Sequence, residues 1–496
     1  MTENKKSFGQ KISALLLNNI VSIIFVVFIL FGYFASDVTI GSFANELTSR
    51  FFRNAVLVLS LIIPVMAGLG LNFGIVVGAL AGMLSLIFVR YHETVFTGFP
   101  GLLMAFLIAT PIALLFGFLT GKLYNKTRGQ EMVASLIVGY FATAVYMIFV
   151  LFVVGGIIPV TPGHRMINPG VGGEAGIGLA HTFDLGLPAG EITERHGDML
   201  PGLARSLNNI WRVDFTYVLI AVAVIMIAFL IIRRILQQKN PSMGTQVFWK
   251  FCVQLGLCIA LAAFAIYSAV VINHWQQVLE VTRVHFGNNS IRLDELVGAP
   301  QFVIEVTRIN PVPMATALVV VAVGLFTVYF TKTKLGQDCR SVGQNQQIAN
   351  VSGINVDRTR IVATMISTVL ASWGMIIFLH DMGHVSTYTA HVTIGFFSVA
   401  AILVGGATVA KASVKNAMVG LLLFHAMVTF SPAVGRFFSE DGNIGEYLRS
   451  LMVFGSIGLS LGLYVWKNNK AAKAKERLDP HEVSLIDRLK AEREAK

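Results

Sequence analysis

Apolar residues in this chain are gathered into long blocks rather than alternating positions or single helical stripes. Windows near 18–36, 55–71, 73–89, 99–118, 131–154, 216–232, 250–272, 313–330, 361–380, 394–410, 416–430 and 449–466 each approach the roughly 20 apolar residues needed to cross a bilayer as a helix. The pattern predicts an all-α, polytopic integral membrane protein with about twelve spans. One interruption stands out. Residues 331–360, TKTKLGQDCRSVGQNQQIANVSGINVDRTR, are polar and basic between two strongly apolar windows. They are too polar to cross a bilayer and too short to be a domain, so they form a loop between spans. Gly336, Gly343 and Gly353 punctuate this loop. Residues 344–352 read as a short helix with Ile348 and Val351 three apart on one face. A short helix held at a membrane surface is suited to dock on another protein.

Composition agrees with the pattern. Of 496 residues, 55% are hydrophobic and 13% charged, and the mean hydropathy is +0.69. One soluble core cannot absorb that much apolar surface. The formal charge of +11 does not point to nucleic acid, because the basic residues sit at the ends of apolar runs rather than in a soluble patch. Charge distribution instead sets orientation. With the N-terminus cytoplasmic, and with the boundary residues Lys250 and Glu131 counted as inside, inside segments hold 26 of the 38 lysines and arginines but 10 of the 27 acidic residues, the bias expected of cytoplasmic loops. Both termini and the 331–360 loop are then cytoplasmic. The first run, 18–34, follows a basic start but is long for a signal-peptide core, so it reads as an uncleaved span. The chain divides into an N-terminal transmembrane half, 1–232, with an outer loop at 155–214; an additional span and outer loop, 233–312; a C-terminal transmembrane half, 313–466; and a charged cytoplasmic tail, 467–496.

Candidate chemistry is sparse. Cys252, Cys258 and Cys339 are too few and too scattered for a disulfide framework or a zinc site. His380, Asp381, His384 and His391 gather near the outer end of one span, and the spacing of His380 and His384 suits a shared metal. Gly383 lies between them and no further ligand is fixed, so ordinary interfacial polar residues are expected and no metal is assigned. Gly70, Gly74, Gly78 and Gly82 recur every fourth residue, a stripe that on a helix lets a neighbour approach closely. Pro64, Gly68 and Gly70 also suit a broken helix, and Asn72 is polar inside an apolar region, so Gly70, Asn72 and Gly74 are candidates for a translocation pathway. Glu131 opens an apolar span, where a carboxylate favours a helix N-terminus, with a pathway role as the second reading. No P-loop is present: at Gly121-Lys122 the required glycine five residues earlier is missing. No nucleophile–base or paired-carboxylate set can be placed from spacing, so catalysis by this chain is not expected.

The loop carries a resemblance. Thr333, Gly336, Arg340, Val342, Gly343, Asn345 and Ala349, then Ser352-Gly353-Ile354-Asn355-Val356 and Arg358, resemble the permease subunits of bacterial ABC importers, in the superfamily handling ribose-type simple sugars, purine nucleosides and branched-chain amino acids. The likeness continues through 371–374, to Gly405 and Gly406, which fit a G-G element near the end of a later span, and more loosely to 55–154, where Gly121, Gln130 and Glu131 begin a similar span. It departs at Asn345-Gln346, where the family has Asn-Glu, at 410–415, where a glycine-rich turn is replaced, and in the additional portion 233–312.

The resemblance implies a type II ABC importer-like helical bundle in the bacterial inner membrane. It implies a translocation pathway for a small polar solute, a simple sugar or nucleoside being favoured, and it adds Gly405 and Gly406 to the pathway residues. It also implies a separate ABC ATPase subunit that binds ATP and Mg, a second permease copy or paralogue, and an extracytoplasmic substrate-binding protein. This chain itself would hold no cofactor. Coupling to the ATPase falls to Gly336, Arg340, Gly343, Asn345, Ala349, Gly353, Ile354, Asn355 and Arg358, with Arg340, Arg358 and Arg360 available to acidic partner residues or anionic lipid. The competing reading is an ion-coupled secondary transporter without an ATPase, which predicts ionisable residues buried within spans. By sequence the spans are almost free of them, with His425 the main exception.

Overall fold

The computed structural model describes residues 20–36, 38–92, 95–154, 157–158, 166–169, 175–186, 203–237, 245–286, 304–306, 309–438 and 443–476. Among them the chain is almost wholly helical. Seven helices are long and apolar enough to cross a membrane: Ile40–Met66, Gly98–Lys126, Glu131–Val153, Phe215–Ile232, Phe251–Arg283, Val356–Met382 and Val414–Phe438. An eighth span results if Met314–Phe330 and Lys334–Gln344, bent by 71°, are taken together. Three further predicted windows fall on shorter apolar helices, Val21–Phe34, Ile75–Tyr91 and Ala390–Val404.

The N-terminal half begins with α1 (Ile20–Phe34) and α2 (Ile40–Ser60). Sequence pattern starts the second span at 55, whereas α2 starts fifteen residues earlier, after Thr39 caps it by accepting from the Ser42 amide. Asn45, Glu46, Arg50 and Arg53 hide this part of the helix from an apolar window, yet Glu46 and Arg50 pair one turn apart, the spacing that supports a helix. The short α3 (Ile62–Met66) follows, then a break, then α4 (Ile75–Tyr91), α5 (Gly98–Lys126) and α6 (Glu131–Ile148), which runs into a π-helical turn, Phe149–Val153.

At the end of the bundle opposite the 331–360 loop, short antiparallel ribbons pair β1 (Ile167–Pro169) with β2 (Ala175–Leu179), β3 (Thr182–Asp184) with β6 (His384–Ser386), and β4 (Arg212–Val213) with β5 (Val312–Pro313). The one-turn α7 (Ser206–Ile210) lies among them. Helices α8 (Phe215–Gln237) and α9 (Thr245–Phe286) pack chiefly against each other; α8 covers the last window of the N-terminal half and α9 the span expected in the additional portion. The rest of the expected outer loops, 155–214 and 272–310, lies partly outside the described residues. The C-terminal half comprises α10 (Met314–Phe330), α11 (Lys334–Gln344), α12 (Gln346–Val351), α13 (Val356–Met382), α14 (Ala390–Val404), α15 (Val414–Phe438) and α16 (Asn443–Glu476). The tail beyond 476 lies outside the described residues.

Helix α13 is the axis of the bundle, packed against α2, α4 and α5. Small residues make the approach close. A Cβ on Gly78 or Gly82 of α4 would stand 2.7 or 2.5 Å from the carbonyl oxygens of Thr368 and Ser372. Only these two of the four periodic glycines lie within a helix; Gly70 and Gly74 belong to the break before α4. In a low-dielectric interior each polar group needs a partner. The hydroxyls of Thr364 and Thr368 accordingly bond the carbonyls of Arg360 and Thr364 in the preceding turn, and Ser367 Oγ donates to the Ser60 carbonyl where α2 ends.

Candidate functional site

The 331–360 loop folds as two consecutive helices followed by the start of α13, and each start is set by a side-chain cap. Thr333 Oγ1 accepts from the Gly336 amide at 3.2 Å. Asn345 Oδ1 accepts from Gln347 at 2.9 Å and Ile348 at 3.1 Å, and Asn355 Oδ1 from Arg358 at 2.9 Å. These three positions carried the sequence resemblance, and capping is a physical reason for each. The turn between α12 and α13 passes through Gly353 at φ +82°, a left-handed conformation that side chains other than glycine adopt at a cost. Behind it Val342, Ala349 and Val356, with Ile354 against them, form a small separate core. The sequence marks one helix here, at 344–352; α11 is additional, its high polarity having hidden it from an apolar pattern.

Burial of Ala349 turns the opposite face of α12 outward, where Ile348 and Val351 are 65% and 89% exposed. Arg340 and Arg358 are also exposed. Beside this face lies a polar groove of about 760 Å³, lined by Arg128, Gln346, Gln347, Asn350 and residues 353–357. Arg128 pairs with Asp357 across it.

The loop is joined to the interior at two places. Gly343 lies against the end of α3: a Cβ there would be 2.1 Å from the Met66 carbonyl oxygen. Gly336 is equally tight at the bend after α10. The second joint is Arg360. Expected to be available to a partner, it is instead fully buried. One terminal nitrogen donates to Glu131 Oε1 at 2.5 Å and to the Tyr124 carbonyl at 3.2 Å, the other to Gln346 Oε1 of α12 at 3.3 Å. Arg360 thus ties α12 to the end of α5 and the start of α6, and Glu131 is its counter-ion as well as the first residue of α6.

Tyr124 continues the chain of contacts. Its hydroxyl donates to Asn72 Oδ1 at 2.8 Å, and the same oxygen accepts from the Gly74 amide at 3.0 Å. The Phe73 amide donates to Ser135 Oγ of α6 at 3.1 Å. These bonds hold the break between α3 and α4, where Gly68 and Gly70 take φ of +74° and +70°. Asn72 is buried, and it supplies the acceptors that a broken helix at membrane depth requires. Gly70 packs on Met132 of α6 and Val409 of the α14–α15 turn. In that turn Gly405 stands against the Asn416 carbonyl, and Gly406 takes φ +86°. The structure therefore brings the predicted pathway residues Gly70, Asn72, Gly74 and Glu131 together, with Gly405 and Gly406 one contact beyond Gly70. Tyr124, Gln346 and Ser135 were missed by sequence. A buried tyrosine and serine within apolar segments and a half-buried glutamine in the polar loop give no periodic signal.

Other candidates resolve differently. His380 Nε2 accepts from the Leu207 amide at 3.0 Å and meets Ser206 Oγ at 3.2 Å, so this histidine holds α7. Among the described residues no group of three or more His, Cys, Asp or Glu is placed to hold a metal. His391 and His425 are both buried within the bundle, so the interior carries more ionisable side chains than the sequence pattern marked. Burial pushes the Cys339 thiol of α11 up to about 12.

Comparison with known proteins adds family evidence. Residues 165–456 match the model of a family described as the permease component of the branched-chain amino acid transport system. A 124-residue stretch is 27% identical to the nucleoside ABC transporter permease protein NupB of Lactococcus lactis subsp. cremoris, over 24% of this chain and 31% of that protein. The match therefore spans less than a third of the relative's length. No solved structure matches.

Proposed function

Since the chain belongs to the permease-component family of the branched-chain amino acid transport system, an ABC permease family, we propose that it is the multi-pass subunit of an ATP-driven importer in the bacterial inner membrane. Its 331–360 loop docks a separate ATPase subunit that binds ATP and Mg. The solute is small and polar, a nucleoside or simple sugar, a choice supported by likeness to a permease named for nucleosides. A second permease copy or paralogue completes the pathway, and an extracytoplasmic binding protein delivers the solute.

The observation that carries the coupling role is the outward apolar pair Ile348 and Val351 on a helix whose inner side is tied to Arg360. An exposed Val351 beside a polar groove fits the edge of a protein interface better than free solvent. Movement of α12 is passed through Gln346 and Arg360 to Tyr124 and Asn72, and through Gly343 to α3, so it reaches the helix break from two sides. Two-state rocking of that break is the type of motion by which a remote site opens and closes a path.

Uptake tests the function. Cells with and without the chain are supplied with labelled uridine, adenosine, ribose and leucine. Uptake that depends on the chain, stops on ATP depletion and survives collapse of the ion gradients supports the importer. Uptake that follows the ion gradients instead establishes the secondary transporter.

A further inference from the structure

The end of the bundle opposite the 331–360 loop holds a second polar cavity, of about 290 Å³. It is lined from α2 by Asn45, Ser49 and Arg53, from the α7 region by Arg205, Asn208 and Arg212, and from the end of α13 by Asp381. Three arginines and one aspartate face one small space.

The contacts leave positive charge in excess. Asp381 is engaged by Arg53 at 3.3 Å and by Asn208 Nδ2 at 2.6 Å. Arg205 reaches only the Asp381 backbone carbonyl, at 3.4 Å. Arg212 bonds the Asn208 carbonyl at 3.2 Å and the Asn209 side chain. Neither Arg205 nor Arg212 is paired with a carboxylate among the described residues, and Arg53 Nε is buried without a partner. The cluster is also unusual in position. Membrane proteins concentrate arginine on the cytoplasmic side, and α13 runs from the loop to this cavity, placing these arginines at the other end. Arg205 and Arg212 are exposed and Arg53 is half-buried, and like charges gathered around one cavity repel one another, which an anion between them relieves. Arginine forks, moreover, match the oxygens of carboxylate and phosphate.

We infer that this cavity is a binding site for a small oxyanion, a phosphate or carboxylate group, held by Arg53, Arg205 and Arg212. Asp381 sets the position of Arg53 and, through Asn208, of α7. The site stands apart from the coupling loop and does not rest on the transport reading. A phosphate group reaches it either as a free solute or on an anionic lipid headgroup.

The test uses the full-length chain in nanodiscs of neutral phosphatidylcholine, with equilibrium binding of labelled inorganic phosphate at pH 8 and low salt. Binding is expected to weaken at least tenfold in Arg205→Gln and in Arg212→Gln, and to be unchanged in Arg128→Gln, which removes an exposed arginine at the opposite end. Arg205 and Arg212 are chosen because Arg53→Gln removes the partner of Asp381 and risks the fold. Repetition in phosphatidylglycerol discs separates the sources. Unchanged phosphate binding identifies a free solute. Loss of phosphate binding, with phosphatidylglycerol retained by the native chain and released by Arg205→Gln in native mass spectrometry, identifies the headgroup. No phosphate binding to the native chain in neutral discs, or equal binding in Arg205→Gln and Arg212→Gln, overturns the site.

Discussion

Replacing Glu131 with glutamine isolates the joint between the loop and the bundle. The variant keeps shape and an amide oxygen, but it leaves the Arg360 guanidinium fully buried with only neutral acceptors, the Tyr124 carbonyl and Gln346 Oε1. Breaking a buried ion pair from one side costs about 3–5 kcal/mol. The retained hydrogen bond places Glu131→Gln near the lower end, about 3 kcal/mol. The reverse change, Arg360→Gln, is milder, about 1–2 kcal/mol. It strands a carboxylate that sits at a helix N-terminus, where negative charge is favoured, and whose side chain is 11% exposed. The double variant Glu131→Gln/Arg360→Gln removes both charges and returns to within about 1–2 kcal/mol of the native chain, because a neutral pair escapes the desolvation of ions. Reversible unfolding by SDS titration in mixed micelles reads these differences. Equal stability of Glu131→Gln and the native chain, or a double variant weaker than the sum of both singles, refutes the buried pair as the joint.

Three further outcomes follow from the same geometry. Gly353→Ala forces a side chain into φ +82° and is expected to cost about 1–2 kcal/mol, with Gly353→Asn less harmful; equal unfolding curves for the two variants would contradict this. Tyr124→Phe removes the hydroxyl from Asn72 Oδ1 but leaves that oxygen its bond from the Gly74 amide, so the expected loss is about 1 kcal/mol, accompanied by faster amide exchange at 72–74; unaltered exchange there would argue against Tyr124 as the support of the break. With the Cys339 thiol pushed up to about 12 by burial, its thiolate fraction at pH 8 is on the order of 10⁻⁴. Alkylation of folded protein should therefore spare Cys339, quicken with each unit of rising pH towards 12, and reach ordinary rates only after unfolding. Labelling as fast as in the unfolded chain at pH 8 would contradict that burial.

The helical membrane architecture and the loop were legible in the sequence because both are carried by composition: long apolar blocks on either side of a polar segment. The caps were legible as a resemblance, and the structure gives their cause in the bonds made by Thr333, Asn345 and Asn355. Break and stripe at 68–82 were two readings of the same glycines. Gly68 and Gly70 serve the break, Gly78 and Gly82 the close packing on α13. The early start of α2 was hidden because Glu46, Arg50 and Arg53 lower hydropathy without breaking a helix. Arg360 misled for a related reason. Among other basic residues at the end of a loop it reads as a surface charge, and only the folded bundle, which brings Glu131 from 229 positions away, makes it an interior one. Pairings over such distances leave no periodic trace in a single sequence.

The central claim is that the outward face of α12 meets an ATPase. Its most direct test places a photo-crosslinking amino acid at Val351 in the full-length chain, irradiates native membranes and identifies the adduct by mass spectrometry, with the same probe at Phe141, exposed midway along α6, as control. The account predicts a protein carrying a P-loop, captured from Val351 but not from Phe141, and lost when Ile348 is changed to aspartate. Adducts to lipid alone at Val351, from membranes in which the chain is folded and carrying out uptake, would contradict it.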